Sequence, residues 1–359
     1  MYAHNVASLA KSLISSASRR LGVATPAEDV SDIVDGTLSY PLGPHRGVPL
    51  SPHYAETTPE HLAFVVQAEA PGITPADRVE NATRALSRIV ERNFGREARH
   101  WLDGKTETMR GGGYLRSASM GARFGGSFDR NGCSESFAQY EWGPQLMDTL
   151  PAALYRVVRA AMEALPGLTP ALSTVRCGRS SGSHQVSFEL DRPLALAALQ
   201  PLMDQLGLGS RHAGLMSALA FVLGARFTLP PDTCLLTLRP TRSGIEMRMD
   251  VNLDALPDPP AQLMALMRLQ MTERPKSLQG LDRWMLALTP DGYPGPGTVS
   301  VLSVWVRPDL PARLALFLRP ALFETGPSPA ATPSPAPRSP MPVSAAAQAW
   351  AVPDWAPMH

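Results

Sequence analysis

The stretch TRSGIEMRMDVNLD (241–254) alternates strictly. Ile245, Met247, Met249, Val251 and Leu253 share one parity, and Glu246, Arg248, Asp250 and Asn252 hold the other. Side chains of a strand point to opposite faces with period two. The segment therefore predicts a strand with one apolar face and one face carrying both signs of charge. TCLLTLRP (233–240) precedes it, and TRSG (241–244) supplies a turn glycine, so the pair reads as a β-hairpin. The fold turns on whether the charged face meets bulk water or an enclosed polar chamber.

The same unit recurs along the chain. ARFGGSFDR (122–130) turns at Asn131-Gly132 into CSESFAQYEW (133–142). ALSTVRCG (171–178) turns through RSSG (179–182) into SHQVSFEL (183–190), and VSVLSVWV (299–306) turns through RPDLP (307–311) into ARLALFLRP (312–320). LAFVVQAEA (62–70) is expected to pair with GTLSYPL (36–42). Turns near 131, 181 and 243 are about 50 and about 62 residues apart, a period that signals an internal structural repeat. Helical patterns fill the gaps. Thr74 caps a segment with Pro75 at its first position and Val79, Ala82, Leu86, Ile89 and Val90 at helical spacing. Leu150 to Leu165, Leu196 to Leu206, Leu215 to Leu223, Leu263 to Leu269 and Leu278 to Trp284 repeat that pattern.

Antiparallel hairpins alternating with helices form an open sheet backed by helices or a closed barrel with helices outside. The polar faces of the second strands carry Gln185, Ser187 and Glu189; Glu246, Arg248 and Asp250; and Arg313, Phe317 and Arg319. First strands add Gln67, Glu69, Arg123, Ser127, Asp129, Arg176, Thr237, Arg239, Ser303 and Trp305. An open sheet leaves these in water; a barrel gathers them into one lumen. The strands use Arg where a solvated sheet would more often use the strongly hydrated Lys, and Arg suits planar and phosphate oxyanions. An enclosed chamber is the expectation.

Composition narrows the alternatives. The chain has 359 residues, 44% of them hydrophobic, with a net charge of +1, so no global basic field draws nucleic acid or membrane. The three cysteines stand far apart, outside any CxxC, which points to a cytoplasmic chain without a disulfide framework. No apolar run reaches membrane-spanning length. The amphipathic N-terminus is expected to pack as a first helix. GPSPAATPSPAPRSPMPVSA (326–345) is too poor in burying side chains to offset its ordering entropy, and reads as a disordered tail. The division is thus an N-terminal helical segment (1–34), a barrel domain (35–325) and a Pro/Ser/Ala-rich tail (326–359).

FDRNGCSESFAQYEW (128–142), LTPALSTVRCG (168–178) and SVLSVWVRPDLPARLALFLRP (300–320), with the repeated helix–hairpin plan, resemble the ABBA prenyltransferases, most closely the bacterial members acting on indoles and peptides. The resemblance covers roughly residues 35–322. It implies an α+β fold: a ten-stranded antiparallel barrel built from αββα units, surrounded by helices. It implies transfer of a prenyl group from an allylic diphosphate to an aromatic, indole or peptide acceptor in the lumen. No cofactor is required, with magnesium left optional, and the chain acts as a monomer. By position in the family's pattern, Glu69 would be the base. Arg123, Arg176, Arg239, Arg248, Arg313 and Arg319 would grip the diphosphate, and fixed Arg donors suit leaving-group charge. Trp305 and Phe317 would shield the cation, with Gln185 and Glu246 facing the acceptor. The departure is that the assigned strands hold no lysine and the chain has few tyrosines. A non-catalytic barrel binding a small amphipathic ligand or a protein partner is the alternative.

Other signals read more plainly. Arg110-Gly-Gly-Gly-Tyr114 lacks the strand-to-helix context of a phosphate loop. The eight histidines show no HxH or HExxH spacing, so no metal site is expected. His184 falls on an apolar strand face, as a packing residue does. The arginines could also pair with Glu189, Glu246 and Asp250 as a structural network.

Overall fold

The computed structural model describes residues 5–38, 49–67, 72–110, 118 and 120–324. The tail at 326–359, Glu69, Tyr114 and the glycine run at 111–113 lie outside the described residues.

Helices α1 (Val6–Leu21) and α2 (Ala27–Leu38) precede the hairpin β1 (Leu50–Ala55) and β2 (Leu62–Val66). Helices α3 (Pro75–Phe94) and α4 (Arg96–Arg110) precede β3 (Ala122–Asp129) and β4 (Gly132–Glu141). Helix α5 (Ala152–Ala164) precedes β5 (Leu168–Gly178) and β6 (Gly182–Leu190). A two-stranded ribbon, β7 (Leu194–Ala195) with β8 (Thr228–Leu229), brackets α6 (Gln200–Gln205) and α7 (His212–Val222). Then come β9 (Cys234–Thr241) and β10 (Gly244–Asn252), α8 (Leu263–Gln270) and α9 (Pro275–Leu288), β11 (Gly297–Arg307) and β12 (Leu310–Pro320), and the short α10 (Ala321–Glu324).

The ten long strands close into one antiparallel barrel in the order β1-β12-β11-β10-β9-β6-β5-β4-β3-β2. Closure pairs the first strand with the last, His53 opposite Phe317. It leaves no free edge among these ten. The outward face of each strand is apolar and sealed by helices: Met247, Met249 and Val251 of β10 are fully buried, as are Phe188, Leu236, Val304 and Leu316. Trp284 of α9 is fully buried beside Tyr54, whose hydroxyl donates to the Ser277 carbonyl at 2.5 Å. Tyr140 is likewise outward, against Thr83 of α3 at 2.9 Å.

Local chemistry explains the elements. Thr74 and Asp77 form a reciprocal capping box at the start of α3, with Pro75 at the first helical position. Gly132 follows Asn131 in the β3–β4 turn with φ of 99°, where a side chain would be strained. At Gly125 the constraint is space: a Cβ there would meet the Phe64 carbonyl oxygen at 2.5 Å and the Phe137 ring at 2.6 Å.

One pairing differs from the sequence expectation. β2 pairs not with 36–42 but with Leu50–Ala55, and Thr37 and Leu38 end α2. Pro52 hid this strand, because proline cannot donate to a ladder. In the barrel Pro52 lies opposite Phe64 of β2, just before the β12 ladder begins at His53. The opening helical segment also runs past 34. α2 is held to α3 through Asp29, which is fully buried and accepts from Arg92 and from Asn93 at 3.0 Å. The first helix packs as expected: Arg20 donates to the Thr289 carbonyl at 2.6 Å, just beyond the end of α9. Among the described residues no helix is long and apolar enough to cross a membrane.

Candidate functional site in the barrel lumen

Glu246, Arg248 and Asp250 point into the barrel, not into bulk water. The lumen holds two chambers. One, about 540 Å³, lies at the helix-connection end and is lined by Ser51, Gln67, Arg123, Gln139, Ser187, Glu189, Asp232, Asp250, Asn252 and Asp254 among others. The second, about 340 Å³, lies at the hairpin-turn end and is lined by His53, His61, Glu135, Arg176, Gln185, Arg239, Glu246, Ser303, Trp305 and Ala315 among others. Arg248 and Phe317 line both, so they mark the waist between them. The volumes suit small ligands.

Strand register places these groups. Arg248 sits opposite Thr237 on β9 and Trp305 on β11, and Glu246 opposite Arg239. Asp250 sits opposite Ser303, whose hydroxyl donates to it at 2.6 Å. Ser187 and Thr237 share a hydrogen bond of 2.7 Å across β6 and β9. His53 stacks on Phe317, with ring centroids 5.0 Å apart.

Most of the lumen charge is paired. Arg176 grips Glu135 through two nitrogens and lies over the Phe137 ring at 4.5 Å. Arg239 pairs with Glu246 at 2.8 Å and Arg248 with Asp250 at 2.8 Å. Burial would raise the Glu135 carboxyl, but Arg176, with Arg239 and His53 adding, outweighs it and holds the group below the usual carboxylate range. Arg123 forms no ion pair among the described residues. Burial pushes its guanidinium down, opposed by Asp250 and reinforced by Arg248. Donors are left over: Arg123 Nε, Arg239 Nε and Gln185 Nε2 are buried without a partner among the described residues. Such groups are costly unless something accepts from them.

The chambers differ in sign. The turn-end chamber sets Arg176 and Arg239 against Glu135 and Glu246, and Arg248 at the waist adds a positive charge that it shares with Asp250 of the other chamber. The helix-end chamber sets Arg123 and Arg248 against Glu189, Asp232, Asp250 and Asp254, an excess of two negative charges. An anion is therefore better received at the turn end.

Of the residues expected in the lumen, Arg123, Arg176, Gln185, Arg239, Glu246, Arg248, Trp305 and Phe317 line it. Arg313 and Arg319 line neither chamber: Arg313 donates to the Ala312 carbonyl at 3.1 Å, which also accepts from Arg274, and Arg319 pairs with Asp254. Glu189 lines the helix-end chamber but pairs with no arginine among the described residues, whereas the expected pairing of Glu246 and Asp250 is present. No tyrosine among the described residues lines either chamber. His184 is a packing residue, bonded to Ser173 at 2.7 Å. His53, His61, Glu135 and Gln139 were not singled out from sequence; for His53 the missed β1 is the reason, while Glu135 and Gln139 follow from the parity of β4.

No protein-family model and no curated protein matches the chain. Solved structures do. The chain is similar to 6-dimethylallyltryptophan synthase from Micromonospora olivasterospora in complex with DMASPP and Trp, at 13% identity over 89% of this chain and 98% of that one, TM-score 0.68. It is similar to 5-dimethylallyltryptophan synthase from Streptomyces coelicolor, at 14% identity over 90% and 99%, TM-score 0.64. The prenyltransferase PriB in binary complex with product diphosphate matches at 14% identity over 89% and 97%, TM-score 0.64. The fold is the αββα barrel of these proteins.

Proposed function

We propose that the protein transfers a prenyl group from an allylic diphosphate to an aromatic, indole or peptide acceptor inside the barrel. The observation that carries this reading is the turn-end chamber, where Arg176 and Arg239, with Arg248 at the waist, stand against two glutamates beside Phe317 and Trp305. Arg176, Arg239 and Arg248 would neutralise the diphosphate as its charge develops. Arg123 adds positive charge near the waist through its coupling to Arg248. The allylic carbon would sit against Phe317, whose face attracts a cation, and the acceptor would approach from the larger chamber. Neighbours with this fold were solved with an allylic thiolodiphosphate and tryptophan, which supports the same pairing of ligands. Glu69 remains the candidate base on the strength of the resemblance, tested by Glu69→Gln. A monomeric, cytoplasmic enzyme completes the reading.

A second reading has its own observation. Three lumen arginines are already satisfied by carboxylates, and no described tyrosine shields the waist. A barrel that binds an amphipathic ligand without turnover fits that as well. Incubation with dimethylallyl or geranyl diphosphate and a panel of indoles, phenols, tryptophan and peptides, with and without magnesium, separates the two. Diphosphate release with a prenylated acceptor supports the enzyme. Saturable binding without turnover supports the binder, and no affinity for any prenyl diphosphate removes the diphosphate reading.

A further inference from the structure

His53 differs from the other histidines whose side chains are buried or half-buried. His61 meets Ser127 at 3.0 Å, His184 meets Ser173 at 2.7 Å and His212 meets the Leu196 carbonyl at 3.0 Å. His53 Nδ1 is buried with no hydrogen-bond partner, as is His184 Nδ1, but His184 keeps a bond through Nε2, whereas neither nitrogen of His53 is hydrogen-bonded among the described residues. A histidine kept only for packing is usually fixed by such a bond. His53 instead lines the turn-end chamber, stacked on Phe317 at the waist. Ser51, two residues earlier on the same face of β1, lines the other chamber. The imidazole thus stands at the boundary where donor and acceptor would meet.

Its electrostatic surroundings come from every side of the barrel. Burial, then the charges of Arg176 on β5 and Arg248 on β10, push the imidazole down to about 3; Glu135 on β4 opposes them, and His61 adds to the depression. Arg239 and Glu246 share the chamber as an ion pair. With no anion beside it the ring is neutral and a poor base. The two arginines that add to the effect of burial are those proposed to receive the diphosphate. An anion seated on them offsets their part of the depression and raises the basicity of the ring.

We propose that His53 is a proton acceptor of the lumen, switched on by a diphosphate seated between Arg176 and Arg248. This rests on the diphosphate reading above. In the step, the allylic C–O bond breaks and its electron pair leaves with the diphosphate. The acceptor ring's π electrons form the new C–C bond. The C–H electrons at that carbon return to the ring, and the proton goes to the imidazole nitrogen in place of the Glu69 carboxylate that the resemblance assigns as base. The imidazolium is then stabilised by the adjacent diphosphate anion. Proton acceptance is thereby confined to the loaded site.

The test uses full-length protein with histidines labelled at ε1-¹³C, titrated by NMR with and without saturating inorganic diphosphate. Calorimetry reports binding independently, and His53→Gln assigns the resonance. The expected result is an upward move of the His53 titration midpoint by more than one pH unit on binding. His53→Phe, which keeps the ring stack, is expected to lower turnover roughly a hundredfold, with diphosphate affinity within about twofold. Binding without any move of the midpoint, or full turnover by His53→Phe, overturns the role of His53 alone. Absence of diphosphate binding overturns the diphosphate reading, and the switch with it.

Discussion

Arg248 and Asp250, two residues apart on the same face of β10, form an ion pair of 2.8 Å inside the lumen, and Asp250 also accepts from Ser303 at 2.6 Å. Period-two spacing makes them neighbours on one strand, so the pair is local and needs no distant partner. It gives Arg248 two separable roles: neutralising Asp250 and presenting charge at the waist.

Arg248→Ala is therefore expected to do two things. It should weaken binding of inorganic diphosphate by about 1.5–3 kcal/mol, or roughly ten- to hundredfold. It should also lower the melting temperature, because a carboxylate is left in the lumen without its cation. The double variant Arg248→Ala with Asp250→Asn should recover the melting temperature but not the affinity. Recovery of both would make the pair purely structural. Arg248→Lys should restore only part of the affinity, since the guanidinium fork is lost.

Glu135 predicts the acid limb of stability. Its folded carboxyl is held below the usual range by Arg176 against the opposing effect of burial. A depressed carboxylate contributes stability that is present above the unfolded value, about 4.3, and is lost as pH falls through the folded value. Glu135→Gln should flatten denaturant-derived stability below about pH 4.3, while lowering it at pH 7 because Arg176 loses its partner. Arg176→Ala, which strands the glutamate, should cost about 3–5 kcal/mol at pH 7. An unchanged acid limb in Glu135→Gln would place the acid sensitivity elsewhere.

His184 predicts the next window upward. Burial, then Lys105, push its imidazole down to about 4. The folded state thus binds fewer protons than the unfolded chain below about 6.5, and stability falls as pH drops from there towards 4. The loss should be on the order of 1–2 kcal/mol by pH 5, discounted for partial exposure. His184→Gln removes the titration and can still bond Ser173, so its stability should be flatter between pH 6.5 and 5, measured by urea unfolding.

Much of this architecture is legible because strand parity is local. Glu246, Arg248 and Asp250 declare an apolar and a charged face, and four hairpins fall where alternation and turn residues put them, three with a turn glycine and the fourth with Pro308-Asp309. The first hairpin does not, because Pro52 makes a genuine strand look broken and the proline is tolerated only where the β12 ladder has not begun. Helix α4 was also hidden: REARHWLDGKTETMR is mostly polar, and only Leu102, Thr106 and Met109 are buried. Its stability comes from packing on α3, which periodicity does not reveal. At the site, parity identifies which arginines face inward but not how far along the barrel axis each lies. That distance separates Arg248 at the waist from Arg313 and Arg319 beyond the chambers. Closure alone brings His53 of β1 against Phe317 of β12, 264 positions later (317 − 53), and nothing local encodes that contact.

Phe317 gives the last prediction. It lines both chambers and carries His53 on its face, so it is both the partition and the support of the stacked ring. An allylic cation at the waist is captured by whichever nucleophile reaches it first. Excluding water is what directs it to the acceptor. Phe317→Ala opens the partition, removes the π-face beside the cation and frees His53 from its stack. The expected outcome is a change in partition more than in binding: diphosphate affinity within about threefold of wild type, with the ratio of prenylated acceptor to free prenyl alcohol falling at least tenfold. Phe317→Leu keeps the bulk but not the π-face, and should fall between the two. Chromatographic quantification of both products from one reaction reads the ratio directly. If Phe317→Ala lowers both products equally and leaves their ratio unchanged, the waist is not where the cation is captured.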